Sequence, residues 1–239
     1  MSVQTRTIDY TDGGTALEGY FAWDDSGSST RPGVIIVHAW AGRSPFEEEA
    51  ARKLAGLGYA ALAMDVYGKG VLGGDPEENT KLMSPFLEDR PMLQNRLKTG
   101  LQVLRDQEET DASKVAATGY CFGGLCVLDL ARTGEDFQGA ASFHGLFNKP
   151  GNTDGNVIKA KVLALHGWDD PMVPPADVVA LAEELTAAGA DWQIHGYGNT
   201  LHAFTNPEAN APDMGAMYQA DADRRSWQAM ENFLGEVLA

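Results

Sequence analysis

Three kinds of side chain in this sequence can do covalent chemistry together: a thiol, a carboxylate and an imidazole, each placed beside a turn. The thiol is Cys121 in Gly119-Tyr120-Cys121-Phe122-Gly123-Gly124, which follows the apolar run Val115-Ala116-Ala117-Thr118 where a helical pattern begins. Glycines two residues to either side of Cys121 make the G-x-nucleophile-x-G pattern. The backbone there folds so sharply between strand and helix that the central side chain projects over the sheet. A helix opening directly after the thiol favours both a thiolate and the oxyanion of a tetrahedral intermediate. The hexapeptide alone leaves two readings open, a displayed nucleophile and a small buried hydrophobe, the latter a frequent fate of free cysteine.

A nucleophilic thiol needs a base, and the base an orienting acid, in the chain order nucleophile, acid, histidine. Both follow in that order. The apolar run Lys161 to His166 ends in Gly167-Trp168-Asp169-Asp170-Pro171-Met172-Val173-Pro174, which puts two carboxylates just past a buried strand. Asp170 could also be an Asp-Pro turn that caps the next helix. Trp192 to Tyr197 is followed by Gly198-Asn199-Thr200-Leu201-His202-Ala203-Phe204. A loop histidine between Leu201 and Phe204 is poorly solvated, so His202 is either the base or a core histidine. His38 and His166 end buried strands, His144 precedes a glycine turn and His195 lies within a strand. None has a second ligand-type residue at metal spacing, so no metal site is expected. No G-x-G-x-x-G follows the first parallel strand and no Walker pattern occurs, so no cofactor is expected.

The elements that must position these groups alternate. Thr5 to Tyr10 and Leu17 to Trp23 flank Asp12-Gly13-Gly14 as a hairpin, and the loop Asp25-Ser26-Gly27-Ser28-Ser29 leads to the apolar strand Gly33 to His38. Ser44, Pro45 and Glu47 start a helix running to about Leu57, with the residue types of a capping box. Strand Tyr59 to Met64 precedes helical patterns at 77–86 and 91–107. The second half repeats the rhythm: strand Val115 to Gly119, helix Phe122 to Arg132, strand Ala140 to His144 and strand Lys161 to His166. Helix Pro175 to Ala188, strand Trp192 to Tyr197 and a last helix from about Met214 to Leu238 complete it. The pattern predicts an α/β fold, a mostly parallel central sheet flanked by helices on both faces. As no linker is long enough to separate domains, residues 1–239 are expected to form one domain.

With 34 acidic against 18 basic residues the net charge is −16. That argues against nucleic acid and against an anionic membrane surface, both of which select clustered Lys and Arg. No run of about eighteen apolar residues and no signal-peptide pattern occurs. The two cysteines, Cys121 and Cys126, sit five residues apart on one short element, which suits neither a disulfide framework nor a CxxC pair. A reducing, cytoplasmic setting is expected.

Taken together, "GYCFGG", "HGWDDPMVP", "LHAF" and the strand exits "VIIVHAWAG" and "ALAMDVYGKG" resemble the dienelactone hydrolase family of the α/β-hydrolase superfamily, whose members carry cysteine in the elbow where most of the superfamily has serine. The resemblance covers nearly the whole chain and implies an α/β-hydrolase fold without a separate cap domain. It implies Cys121 as nucleophile, Asp170 rather than Asp169 as acid and His202 as base, with the amides of Phe122 and Trp40 as oxyanion donors. It also places Lys69 and Tyr67 on the substrate side. Two departures from the family stand out. Ala39 stands where a glutamate helps ionise the thiol, and Lys69 and Asn206 stand where two arginines hold the substrate carboxylate, so the bidentate fork is lost. The implied activity is hydrolysis of a small ester or lactone through a thioester. The alternatives are a broad carboxylesterase and a non-catalytic ligand-binding or thiol-sensing protein on the same fold.

Overall fold

The computed structural model describes residues 2–26 and 30–239. Positions 27–29 of the loop expected after the first hairpin lie outside the described residues. Contacts group the chain into two compact units, Met1–Thr118 and Gly119–Ala239.

In the first unit β1 (Val3–Asp12) and β2 (Thr15–Asp24) pair antiparallel with Asp12 opposite Thr15. The connecting residues Gly13 and Gly14 have φ of 53° and 86°, the left-handed pair that two-residue hairpins with the native strand twist require. β3 (Arg31–Val37) and β4 (Ala60–Met64) run parallel, and β2 borders β4 antiparallel. All five residues of β4 are buried, which is why its sequence reads as a continuous apolar run. Between them α1 (Pro45–Gly56) opens on the expected capping box of Ser44 and Glu47. Then come α2 (Pro76–Glu88), α3 (Arg90–Arg105) and β5 (Thr110–Tyr120), whose last two residues enter the second unit. The strand order of this unit is β1-β2-β4-β3-β5.

The second unit continues from the end of β5 in the order β5-β6-β7-β8. Its elements are α4 (Phe122–Arg132), β6 (Gly139–Phe143), β7 (Lys161–Gly167), α5 (Pro175–Ala187) and β8 (Trp192–Tyr197). β6, β7 and β8 pair parallel in register, so Cys121, Gly167 and the loop after Tyr197 all stand at carboxyl ends of strands. The last helix, α6 (Ala220–Val237), starts later than the pattern predicts. Residues before it form β9 (Asn210–Ala211), a 3-10 turn (Pro212–Met214) and β10 (Ala216–Met217), which pairs with β9. Gly215 at φ 76° breaks helical continuity there, and the backbone of this segment is engaged with His202 instead. No helix among the described residues is long and apolar enough to cross a membrane.

The far end of α4, the helix that the thiol opens, is fastened by a buried charge. Arg132 is 2% exposed, donates from Nε and one terminal nitrogen to both oxygens of Glu184 on α5 at 2.9 and 2.8 Å, and also reaches the Phe147 carbonyl at 2.8 Å. Its other terminal nitrogen lies 3.2 Å from Asp129. Glu184→Ala removes two charge-assisted bonds from a buried guanidinium and is expected to cost about 2–3 kcal/mol. A fall in the urea midpoint with unchanged slope checks this, and Glu184→Gln should fall by less.

Candidate active site

Cys121 is half-buried and adopts φ 55°, ψ −114° as the residue that opens α4. A non-glycine residue rarely takes positive φ, and the neighbours are cut to allow it. A Cβ on Gly119 would meet the Gly123 carbonyl oxygen at 2.2 Å, and one on Gly124 would lie 2.6 Å from the Gly145 Cα. The flanking glycines therefore act mainly through close backbone approach. The Cys121 carbonyl accepts from Gly124 and Leu125 at 2.9 and 3.2 Å, so the helix starts at the thiol itself.

Asp170 and His202 meet. His202 Nδ1 lies 2.7 Å from Asp170 Oδ2, with the two residues 3% and 2% exposed. The other Asp170 oxygen accepts the Met172 N–H at 2.8 Å, so both oxygens of this buried carboxylate are used. The neighbouring Asp169 is exposed, and its N–H goes to the Thr200 carbonyl at 3.0 Å. Of the two carboxylates, Asp170 is the one that meets His202. The loops bearing acid and imidazole lie directly against each other: a Cβ on Gly167 would stand 2.6 Å from the carbonyls of both Thr200 and Leu201.

The backbone of His202 is held as firmly as its ring. Its N–H donates to Gly215 at 2.9 Å and its carbonyl accepts from Met217 at 3.0 Å, which makes an isolated bridge with Ala216. Gly215 also packs on Pro171, next to the acid, where a Cβ would come within 2.2 Å of Cγ. This clasp joins the acid and imidazole loops, and nothing in the spacing of side chains pointed to it.

With Nδ1 given to Asp170, the buried Nε2 of His202 is the nitrogen left for Cys121. It has no hydrogen-bond partner of good geometry among the described residues, yet the Cys121 side chain is near enough to raise the imidazole. We read this as a loose contact, of the kind that tightens when substrate arrives. Burial disfavours the imidazolium, but the Cys121 charge, the Asp170 hydrogen bond and the Asp170 charge outweigh it and push His202 up to about 10. His202 therefore adds to stability fully below its ordinary value near 6.5, and this contribution is lost as pH rises through about 10. His202 thus leans toward the imidazolium.

Two further histidines border this centre. His144 is 2% exposed and T-stacked on the His202 ring at 5.1 Å between centroids. His166 is fully buried with neither ring nitrogen hydrogen-bonded among the described residues. Burial lowers His166, which the Asp170 charge partly offsets. No group of three ligand side chains that could hold a metal ion assembles among the described residues.

The remaining expected site residues belong to the first unit. The Trp40 loop is tied down there: Glu47 accepts from Ala39 N–H at 3.2 Å and from Ser44 N–H at 2.9 Å, and the Tyr67 hydroxyl donates to the Trp40 carbonyl at 2.9 Å. Lys69 is exposed and paired with Asp9 at 2.7 Å and Glu18 at 3.2 Å, so its charge is already answered within its own unit.

Comparison with known proteins places the chain in a family. The profile of the Dienelactone hydrolase family matches residues 17–238. Protein usf of Aquifex pyrophilus is 28% identical over 238 residues, 98% of this chain and 99% of that protein. Among solved structures, m3DLH is 38% identical with a TM-score of 0.94, covering 99% of each chain. The dienelactone hydrolase-like promiscuous phosphotriesterase P91, from metagenomic libraries, is 38% identical with a TM-score of 0.95 over 100% of each chain. The α/β-hydrolase fold, with its mostly parallel sheet, is thereby shown, and the chain belongs to the dienelactone hydrolase family of ester-bond hydrolases.

Proposed function

We propose that this protein hydrolyses small esters or lactones through a Cys121-His202-Asp170 triad and a thioester intermediate, and that residues 1–239 work as one catalytic domain. The observation that carries the reading is the buried Asp170-His202 pair, whose free imidazole edge is coupled to a thiol held in a strained turn at a helix N-terminus. The single-domain reading is supported by a family profile that runs across both units.

In the first half-reaction the Cys121 thiolate attacks the carbonyl carbon, and charge moves to the carbonyl oxygen. The Phe122 amide, at the first residue of α4, is the oxyanion donor next to the nucleophile. When the intermediate collapses, the bond to the alkoxide breaks and His202 Nε2 delivers its proton to the leaving oxygen. His202 then takes a proton from water, hydroxide attacks the thioester, and the carboxylic acid departs as thiolate is restored. Asp170 holds the ring with Nε2 toward the thiol throughout. Amides suit this cycle less well, because thiolate leaves the tetrahedral intermediate more readily than an unprotonated amine.

The roles of Trp40 as second oxyanion donor and of Lys69 and Tyr67 toward substrate rest on family likeness. The ion pairs of Lys69 with Asp9 and Glu18 favour neutral substrates over a free carboxylate. The likeness to P91 adds a phosphotriester as a further probe, since attack at phosphorus uses the same nucleophile.

Cys121→Ala is expected to lower turnover of aryl esters and small lactones by roughly a thousandfold or more, as removal of a triad nucleophile does. Wild-type rates from that variant would end the reading of Cys121 as the nucleophile, whereas no turnover by the wild-type protein would favour a binding or sensing role. The pH profile of kcat/KM for a neutral aryl ester should carry a basic limb near 10, where His202 loses the proton that serves the leaving group. Asp170→Asn removes a group that raises His202, so that limb should move to lower pH. A limb that stays in place would show that Asp170 does not govern this imidazole.

A further inference from the structure

Resting on the reading of Cys121 as nucleophile, we propose that His144 is a positioning residue: its neutral ring, protonated on Nε2, accepts the backbone N–H of Cys121 and fixes the strained turn that aims the thiol at His202. The Cys121 N–H is shared between the Phe143 carbonyl at 3.0 Å and His144 Nδ1 at 3.1 Å. An amide can only donate, so Nδ1 must hold a lone pair. The single proton of a neutral ring then sits on Nε2, which lies 2.8 Å from Thr205 Oγ1. Thr205 is itself buried, and its hydroxyl oxygen accepts that proton.

The setting supports one tautomer and one charge state. His144 is packed edge-on against His202 and Phe204, each at 5.1 Å between centroids, and its own N–H donates to the Leu165 carbonyl at 2.8 Å. Burial and the adjacent His202 cation both disfavour a proton on Nδ1. His144 also sits at φ 38°. Two consecutive-strand exits with left-handed backbone, at Cys121 and His144, are therefore joined by one hydrogen bond. The chain spends a side-chain acceptor on the nucleophile's own amide, which the Phe143 carbonyl already meets. Geometry of the turn is what that second acceptor adds.

Position of the acceptor, more than polarity, should decide the outcome. In His144→Asn, Oδ1 takes the place of Nδ1, and asparagine tolerates positive φ. In His144→Gln the amide reaches toward Thr205 instead. Nuclear magnetic resonance of the wild-type protein, correlating ring protons with both nitrogens, should show an unprotonated Nδ1 and a protonated Nε2 for His144 at pH 7. The resonances are assigned by their loss in His144→Asn. For hydrolysis of a neutral aryl ester, His144→Gln should lose about a hundredfold in kcat with little change in KM, the penalty of a misplacement near 1 Å. His144→Asn should stay within about tenfold. The pH at which Cys121 is half-alkylated by iodoacetamide should rise in Gln and stay near wild type in Asn. A protonated Nδ1, or equal behaviour of Asn and Gln, overturns the proposal. Should Cys121→Ala remain active, the triad reading fails, and the tautomer result still stands or falls on its own.

Discussion

The backbone of Cys121, held at φ 55° and ψ −114°, is the constraint on which the second unit is built. Such a conformation costs about 1–3 kcal/mol and survives only where its surroundings leave no alternative. Those surroundings can be named. Gly119 lets the chain pass over Gly123, Gly124 lies against Gly145, the Phe143 and His144 acceptors share one amide, and α4 takes its first carbonyl from the thiol residue itself. At its other end the same helix is anchored through Arg132 to Glu184 and Phe147. Relaxing the turn would mean moving a helix that is fixed at both ends.

Charge is distributed with equal economy. Two imidazoles 5.1 Å apart cannot both be cationic in a buried setting. Asp170 decides between them by pairing with His202, and His144, facing an amide and a hydroxyl, is left neutral. The coupling between thiol and His202 belongs to the pair rather than to either residue.

Much of this could be read from the chain. Residues following apolar runs had to lie at strand carboxyl ends, where an open parallel sheet presents its ligands, and that singled out Cys121, Asp170 and His202. The β2-β4 pairing and the late start of α6 were less accessible, since strand neighbours and backbone clasps leave no side-chain pattern. His144 looked like an incidental histidine before a glycine because its task is set by a backbone amide from another strand end. Glu47 was legible as a capping residue, but its second oxygen also holds the Ala39 N–H, a contact that only the folded loop reveals. Lys69 carried the right charge for a carboxylate, and the acids that answer it come from β1 and β2, far away in sequence.

The clasp formed by β9 and β10 has a consequence for how this protein would fail. β9 and β10 pair over two residues on each side, and Met214 and Met217 within the clasp are exposed, so it belongs to the weakly protected end of the structure, where segments open without global unfolding. Opening it would release the backbone of His202 and the wall against Pro171 together, while the eight-stranded sheet and the helices stayed intact. Heat would then disorder the candidate centre through a few residues before the molecule melts, and methionine oxidation at the same spot would reach that centre by the same route.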